Sequence, residues 1–264
     1  MRLVALAIAL FLVPQDQKVT LKFAPQKGDK ISKVEKMEMK LTCTVDAGGQ
    51  AQEMEFQQRG SDKSVTEYVD VADGKVVRKS VDHQESYQDA KQPPTMEWAR
   101  TDNPLHGKKV TVFMKDGRLV REGAEGIEED KLKSLTLDER DSFLFPKNPI
   151  AIGESWEIKG DDLLKFLQGD NEIKDGKVTV KLVEVKEIDK RKCAVLKGAF
   201  ELKGKTENDM DLGVKLDADL VIWIDRGYML SMKGKGTVTV KGGNDQFSMT
   251  GGGPMTVDIE RKIN

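Results

Sequence analysis

The segment KMEMKLTCTV, residues 36–45, decides the fold class because its side chains alternate strictly between polar and apolar. A period of two is typical of a β-strand with one face buried and the other in water. The alternation recurs to the C-terminus, whereas long helical patterns are few. The other alternating segments are VTLKF (19–23), KVTVFM (109–114), KVTVKLVEVKEI (177–188), KLDADLVIWI (215–224), GTVTVKG (236–242) and MTVDIER (255–261).

The predicted fold is therefore mainly β, with long antiparallel meanders that form curved, half-barrel-like sheets. Asp116-Gly117 is a strong signal for a two-residue hairpin turn. The apolar positions of 177–188 change phase midway, which predicts either a bulge or burial of both faces. Short patterns of helical type at 125–135 and 161–167 predict short helices near the midpoint.

An opening motif and two later segments recur in the same order along the chain, which predicts two related halves, residues 18–144 and 145–264. Each half opens with a proline, a spacer, a glycine, an acid and an alternating strand, in APQKGDKISK (24–33) and NPIAIGESWEI (148–158). The later echoes pair YVDVADGKVV (68–77) with LVEVKEIDKRKCAVL (182–196), and VTVFMKDGRLV (110–120) with LVIWIDRGYML (220–230). Repeated hairpins alone would produce the same pattern, so both explanations stay open.

The N-terminal segment MRLVALAIALFLVPQDQ is typical of an export signal. Arg2 is followed by an apolar run from Leu3 to Val13, which Pro14 ends. This run is too short to cross a bilayer, which takes about 20 residues. We predict a signal peptide at residues 1–17, with a poorly defined cleavage site, and export to the periplasm or the extracellular space. An uncleaved anchor is the alternative.

Charge argues against one class of partner. The chain has 43 basic and 45 acidic residues and a net charge of -2, with both signs interleaved. Nucleic-acid binding needs a basic patch or stripe, and the sequence contains none. Nucleic acid is therefore not a predicted partner.

The two cysteines, Cys43 and Cys193, lie one in each predicted half. In an oxidising compartment they could form a disulfide that cross-links the halves. The alternative is that both are free, because Cys43 occupies an inward position of an alternating strand, where free cysteine is commonly buried.

Motifs for catalysis and cofactor binding are absent from the sequence. His83 and His106 lie in polar or turn-like contexts, and Ser155 lacks the second glycine of a nucleophile elbow. There is no HExxH or CxxC spacing for zinc. GGGP at 251–254 precedes a strand and not a helix, so we interpret it as a flexible turn rather than a phosphate loop. We predict no catalytic residue, cofactor or metal.

A hydrophobic-ligand site is the function that the residues favour. Methionine suits adaptable apolar surfaces, and a curved sheet lined with it could hold an acyl chain or the apolar segment of a partner. The candidate residues are Met37, Met39, Trp156, Trp223, Met229 and Met232. The alternative for these residues is that they simply fill the core.

The segments NPLHGKKVTVFMKDGRLVREGAEGIEE (103–129) and FPKNPIAIGESWEI (145–158) carry a family resemblance. With Lys27-Gly28-Asp29, they resemble a group of secreted bacterial β-rich proteins known only as a domain of unknown function, over roughly residues 19 to 160. Its central pattern is P-x-x-P-x-x-x-G-[DE]-x-W. The resemblance implies export and a β fold, and no activity or cofactor.

A looser architectural likeness is to periplasmic half-barrels that hold lipid or lipoprotein tails. The leading hypothesis is an exported, non-catalytic cell-envelope protein that binds an apolar ligand or lipidated partner. A structural or protein-interaction module of the envelope is the alternative. A carboxylate-dependent hydrolase is third, because scattered acids are compatible with a facing pair.

Overall fold

The computed structural model describes residues 18–137, 140–159, 163, 172–206, 209–244 and 247–264. The predicted signal peptide lies outside these residues. The described chain forms a single 12-stranded antiparallel sheet. Its strands are β1 (Lys30–Ala47), β2 (Gln50–Ala72), β3 (Lys75–Lys91), β4 (Trp98–Asp102), β5 (Lys109–Lys115), β6 (Arg118–Glu122), β7 (Ser155–Lys159), β8 (Glu172–Ile188), β9 (Arg191–Lys205), β10 (Asp211–Trp223), β11 (Tyr228–Asn244) and β12 (Phe247–Ile263).

The sheet is curved and does not close. Its order is β6-β5-β3-β2-β1-β12-β11-β10-β9-β8-β7, and β4 adds to β3 outside this path. The chain runs outward from β1 to one edge, crosses to β7 at the other edge, and returns strand by strand to β12. The first and last long strands therefore pair in the middle of the sheet, which confirms the predicted mainly β, antiparallel class.

Short helices near the midpoint were a wrong prediction. In the described residues, the helical parts near the midpoint are two 3-10 turns, Glu129–Leu132 and Arg140–Leu144, and the single α-helical residue Leu163. The pattern at 125–135 fails to form a helix because Gly126 has a φ of 78° and the remaining segment is short. A short helix gains too few hydrogen bonds to offset its nucleation cost. Most of 161–167 lies outside the described residues.

The GGGP segment at 251–254 lies inside β12, so its interpretation as a turn is also wrong. Pairing of β12 with β1 is interrupted between Met255 and Gly252. Proline has no N–H to donate, which explains a gap in the ladder at Pro254. The predicted phase change in β8 is a bulge, because the register with β9 shifts between Leu182 and Glu184.

The first half opens with a hydrogen-bonded turn. The Gly28 N–H donates to the carbonyl of Tyr68 over 2.8 Å, and the Tyr68 N–H donates to the carbonyl of Asp29 over 2.9 Å. The Asp29 carboxylate accepts from the Gln26 N–H over 2.7 Å. Gly28 has a φ of 88°, which explains the glycine at this turn.

The second half opens with the same turn. The Gly153 N–H donates to Leu182 over 2.8 Å, and the Leu182 N–H donates to Glu154 over 3.0 Å. The Glu154 carboxylate accepts from the Ala151 N–H over 2.8 Å. The Pro–Gly–acid echo in the sequence therefore corresponds to a repeated hydrogen-bond pattern, while the common origin of the halves stays a prediction.

The two faces of the sheet differ in character. We call the face with the odd-numbered β1 residues, from Ile31 to Val45, the apolar face, and the opposite one the polar face. Linker segments cover the apolar face at the sides of the sheet. Residues around Leu144 and Ile150 pack on β8 to β10, and residues around Leu132 and Leu135 pack on β3 and β5.

Candidate apolar-ligand site

The central strands carry apolar side chains that are only partly covered. We call this set the methionine stripe. All its members lie on the apolar face and are neither fully buried nor fully exposed. They are Met37, Met39, Met54, Phe56, Met232, Met255, Val257 and Ile259.

The register of the sheet brings the stripe together. Met39 lies opposite Met255, and Met37 lies opposite Val257. Residues directly opposite each other share a face with their Cβ atoms about 5 Å apart. The stripe therefore has members on four adjacent strands, β2, β1, β12 and β11, with glycines between some of them.

Three glycines flank the centre of the stripe, and only the one on β2 has open space beside it. Gly60 lies opposite Met37 on β2, and Gly234 and Gly236 lie opposite Val257 and Met255 on β11. On β11 the space beside the stripe is filled, because an added Cβ would lie 3.0 Å from the Leu216 side chain at Gly234 and 2.7 Å from the Leu216 Cα at Gly236. At Gly60 an added Cβ would meet only the Tyr87 carbonyl oxygen, at 3.6 Å.

One end of the stripe runs into a buried apolar cluster. This cluster consists of Leu41, Cys43, Val45, Val238 and Val240, all on strands. Cys43 is 0% exposed. Gly251 lies between Cys43 and Val240 in the sheet, and because it has no side chain the residues on either side of it can pack together.

The other end of the stripe meets a charged cluster, formed by Lys33, Glu35, Asp62 and His83. The Lys33 ammonium lies 2.7 Å from the Asp62 carboxylate and 3.0 Å from that of Glu35. His83 Nδ1 lies 4.0 Å from Asp62. Glu35 is two residues from Met37 on the same face, about 7 Å away along the strand.

Electrostatics in the charged cluster favour the ionised forms. Burial disfavours the charged Asp62 carboxylate, but the His83 imidazole and the Lys33 ammonium outweigh burial and lower its pKa to about 2. Burial likewise opposes the Lys33 charge, and the carboxylates of Glu35 and Asp62 outweigh it, so the pKa of Lys33 is raised. His83 is 9% exposed, and its Nε2 has no partner within the described residues.

The predicted site residues divide between the stripe and the core. Met37 and Met39 lie in the stripe, and Met232 belongs to both, because it also packs against the main core. Met229 is 2% exposed and belongs to the core, so it cannot line a surface. Trp156 packs against the same core, and its indole N–H donates to the Leu144 carbonyl over 2.9 Å.

Trp223 lies away from the stripe, in an aromatic cluster. Its ring lies 6.4 Å from that of Tyr228 between centroids, and the Arg191 guanidinium lies 4.7 Å from its centroid. Sequence reasoning linked it to the methionines because both faces of its strand are apolar. In the structure, Trp223 packs in the aromatic cluster with Tyr228 and not beside the methionines.

Of the two alternatives for the cysteines, the structure shows the free state, because Cys43 and Cys193 are both unpaired and buried. Cys43 lies on β1 and Cys193 on β9. Four successive pairings lead from Cys43 across the sheet to β9: Gly251, Val240, Leu212 and Gly204. Cys193 precedes Gly204 by eleven residues on β9, which adds about 36 Å along the strand. A disulfide requires Cα atoms closer than about 7 Å.

Sequence reasoning missed Met54, Phe56, Met255, Val257 and Ile259. The last three follow the alternation of 255–261, which could have identified them. Met54 and Phe56 lie among glutamates and glutamines, a surface-like composition. Only the pairing of Phe56 with Leu41 and of Met54 with Cys43 reveals their face.

The polar face has a depression of about 940 Å³. Lysines and aspartates alternate in one row across it, from β9 to β1: Lys197, Asp219, Lys233, Asp258 and Lys36. Opposite charges on neighbouring strands stabilise the sheet and keep its outer face in water. We therefore interpret this depression as a solvated strand face.

Metal ligation has no geometric support in the described residues, where no group of three or more His, Cys, Asp or Glu side chains could hold an ion. Nor does any helix in this part of the chain have the length and apolar character needed to span a membrane.

Comparisons with known proteins give no family. No protein-family model and no curated protein matches this chain. Among solved structures, lipovitellin, in a structure of its lipid–protein interactions, is similar at 8% identity with a TM-score of 0.49. The similarity covers 90% of this chain and 26% of that one, so this chain spans about a quarter of the lipovitellin chain.

A DUF1329 family protein from Desulfovibrio piger is similar at 9% identity, with a TM-score of 0.16, over 90% of this chain and 85% of the other. At these TM-scores, neither similarity says what this chain binds. Of the predicted resemblance to a secreted β-rich family of unknown function, the β-rich character is supported. The family's sequence motif stays a prediction.

Proposed function

We propose that this protein binds an acyl chain, carried by a lipid or a lipidated partner, on the methionine stripe, and that it does so without catalysis. The observation that carries the proposal is the group of partly exposed apolar side chains on the four adjacent central strands. Large apolar patches on a protein surface mark interaction sites. Methionine side chains adapt to a flexible chain because they are unbranched and polarisable.

The shape of the site supports an acyl chain over a compact ligand. The stripe is a shallow surface on four strands, with open space beside Gly60 on β2, an apolar cluster at one end and charges at the other. An extended chain could lie along it, while a ligand that needs an enclosed cavity could not. An open surface also suits a chain that is handed on, because one side of the chain stays accessible.

An envelope location belongs to the same proposal. The predicted signal peptide supports export, and acyl-bearing lipids and lipoproteins are abundant in the envelope. A purely structural module that presents sheet edges is the alternative, and it would require no apolar ligand.

The stripe is tested with a neutral fluorescent probe, 1-N-phenylnaphthylamine, titrated into the full chain. We expect saturable binding that Met39→Gln and Met255→Gln each weaken by about tenfold, because each removes buried apolar area from the complex. Met114→Gln is the matched control, since Met114 is 51% exposed on β5 and far from the stripe.

Two results would contradict the proposal. One is a wild-type protein that binds no probe. The other is equal affinity in the stripe and control variants. Native mass spectrometry of protein purified from its own envelope then shows whether a free lipid or a lipidated partner carries the acyl chain, since the two differ greatly in mass.

A further inference from the structure

Trp98 on β4 is 43% exposed and lies on the polar face of the sheet. It lies opposite Lys91 on β3, which lies opposite Gln57 on β2, which in turn lies opposite Lys40 on β1. Lys40 is an even-numbered residue of β1, so these four side chains share the polar face. Trp98 belongs to none of the four apolar clusters that the described residues form, so core packing does not explain a tryptophan here.

A partly buried ion pair holds the Trp98 ring in place. Asp89 is 7% exposed, and its carboxylate accepts from the Nε–H of Arg59 over 2.9 Å. The Arg59 guanidinium lies over the Trp98 ring, 4.4 Å from the ring centroid. A cation over an aromatic ring is attracted to it, so Arg59 fixes one side of the ring. The ring is therefore oriented before any ligand arrives, while much of Trp98 stays in contact with solvent.

Trp98 lines a depression on the polar face of about 360 Å³. The lining continues from Trp98 to Gln57 on β2, Glu38 on β1 and Thr256 on β12, so the depression extends across the strands. We call it the Trp98 groove. Its volume falls within the range of about 300–1,000 Å³ that is usual for ligand sites.

The polar groups of the Trp98 groove can both donate and accept hydrogen bonds. Glu38 lies opposite Arg59 on one side and Thr256 on the other, and it forms no ion pair with another described residue. Its carboxylate is an acceptor, whereas the Arg59 guanidinium has four N–H donors besides the one that binds Asp89. The Gln57 amide offers a donor and an acceptor.

An aromatic ring beside such groups matches the chemistry of a sugar. One side of a sugar ring carries C–H groups that pack on an aromatic ring, and its hydroxyls both donate and accept. An acyl chain would contact Trp98 but leave the polar groups without partners. An inorganic anion would contact Arg59 but make no use of the ring.

We infer that the Trp98 groove binds a glycan, with one sugar ring packed on Trp98 and the hydroxyls of the chain bound by Glu38, Arg59 and Gln57. The Trp98 groove lies on the face opposite the methionine stripe. The glycan site is therefore a second site, and it does not depend on the acyl-chain proposal.

The experiment titrates three neutral hexasaccharides, cellohexaose, maltohexaose and chitohexaose, into the full chain at pH 7. Calorimetry measures affinity, and tryptophan fluorescence reports on the ring. We expect at least one of the three to bind with a Kd below about 1 mM. Binding should also change the fluorescence, because the bound sugar replaces water at Trp98.

The variants assign the site. Trp98→Ala should weaken binding by about tenfold, since it removes the stacking surface. Trp98→Phe keeps a ring, so it should stay within about threefold of wild type by calorimetry and lose the fluorescence change. Glu38→Ala should also weaken binding by about tenfold, because it removes a charged acceptor. Phe113→Ala is the matched control, because that ring on β5 also lies under an arginine, Arg78, at 4.7 Å, but outside the groove.

Three results would overturn the glycan site. They are a wild-type protein that binds none of the hexasaccharides, equal affinity in Trp98→Ala and Phe113→Ala, and a fluorescence change that persists in Trp98→Phe. The last would place the sugar at another tryptophan, and it decides the question even if Trp98→Ala fails to fold. None of these results affects the acyl-chain function, which the titration with 1-N-phenylnaphthylamine tests separately.

Discussion

At the scale of single residues, Asp62 connects the stability of the sheet to pH. Its carboxylate lies next to the Lys33 ammonium on the apolar face, where water is partly excluded. The side chain of Asp62 is 24% exposed. Partial burial makes the ion pair stronger than a surface pair, so the charged state of Asp62 contributes to folding.

We predict that Asp62→Asn lowers the free energy of unfolding by about 2 kcal/mol at pH 7. The pKa of Asp62 falls to about 2 in the folded protein, below its ordinary value of 3.8. Stabilisation by a carboxylate with a lowered pKa is present above the ordinary pKa and is lost as pH falls through the folded value. Urea unfolding at pH 7 and pH 2 measures the effect.

The difference between wild type and Asp62→Asn should shrink towards zero at pH 2. Asp70→Asn serves as the control, since its exposed pair with Lys27 should change stability by less than about 1 kcal/mol. A difference that stays constant over this range would mean that Asp62 stabilises the fold by packing and not by charge.

At the scale of elements, glycines control how closely the long strands pack. Gly198 on β9 faces the apolar core. An added Cβ there would lie 2.9 Å from the Phe200 ring and 3.2 Å from Leu220. At Gly60 on β2, the nearest atom would be 3.6 Å away, an ordinary contact. The two glycines therefore serve different purposes, one in core packing and the other beside the stripe.

We predict that Gly198→Ala destabilises the protein by about 1 to 3 kcal/mol, because its methyl group overpacks the core. Gly60→Ala should be neutral or stabilising by less than about 1 kcal/mol, because it restricts the unfolded chain without a clash. Urea denaturation of both variants is the measurement. If both variants lost the same free energy of unfolding, strand geometry and not side-chain crowding would require glycine at both positions.

The alternation of 36–45 predicted the face of each side chain in β1, because the period of a strand is a local property of the backbone. The same reasoning gave a bulge in β8 as one of two explanations for its change of phase, and the register with β9 selects the bulge. It failed for GGGP, where glycine and proline imply a turn by local rules. That segment remains in β12 because its neighbours on both sides hold it in the sheet.

At the scale of the whole molecule, the order of the strands decides which residues meet. Pairing of β1 with β12 joins the two ends of the chain and creates the stripe. The same order keeps Cys43 and Cys193 on separate strands and at opposite ends of them. Burial raises the pKa of both thiols, so little reactive thiolate is present at neutral pH.

We predict that both cysteines remain reduced and unreactive in the folded protein. Alkylation with iodoacetamide at pH 7 should modify neither thiol without denaturant and both in 8 M urea (a condition of about the strength that unfolds most domains). Intact mass spectrometry under non-reducing conditions reads the number of adducts. A denatured, unreduced chain that takes up no label would establish the disulfide and contradict the strand register.

Alternation, turns and balanced charge determined by themselves that this chain is an antiparallel β protein without a basic surface, because these properties depend on neighbours in sequence. They also identified Met37 and Met39 as inward-facing. Only the tertiary structure decided that Met255, Val257 and Phe56 lie beside them, that Met229 and Trp156 belong to the core, and that a charged cluster ends the stripe. Strand order and register join residues up to about two hundred positions apart, and no local pattern encodes such pairings.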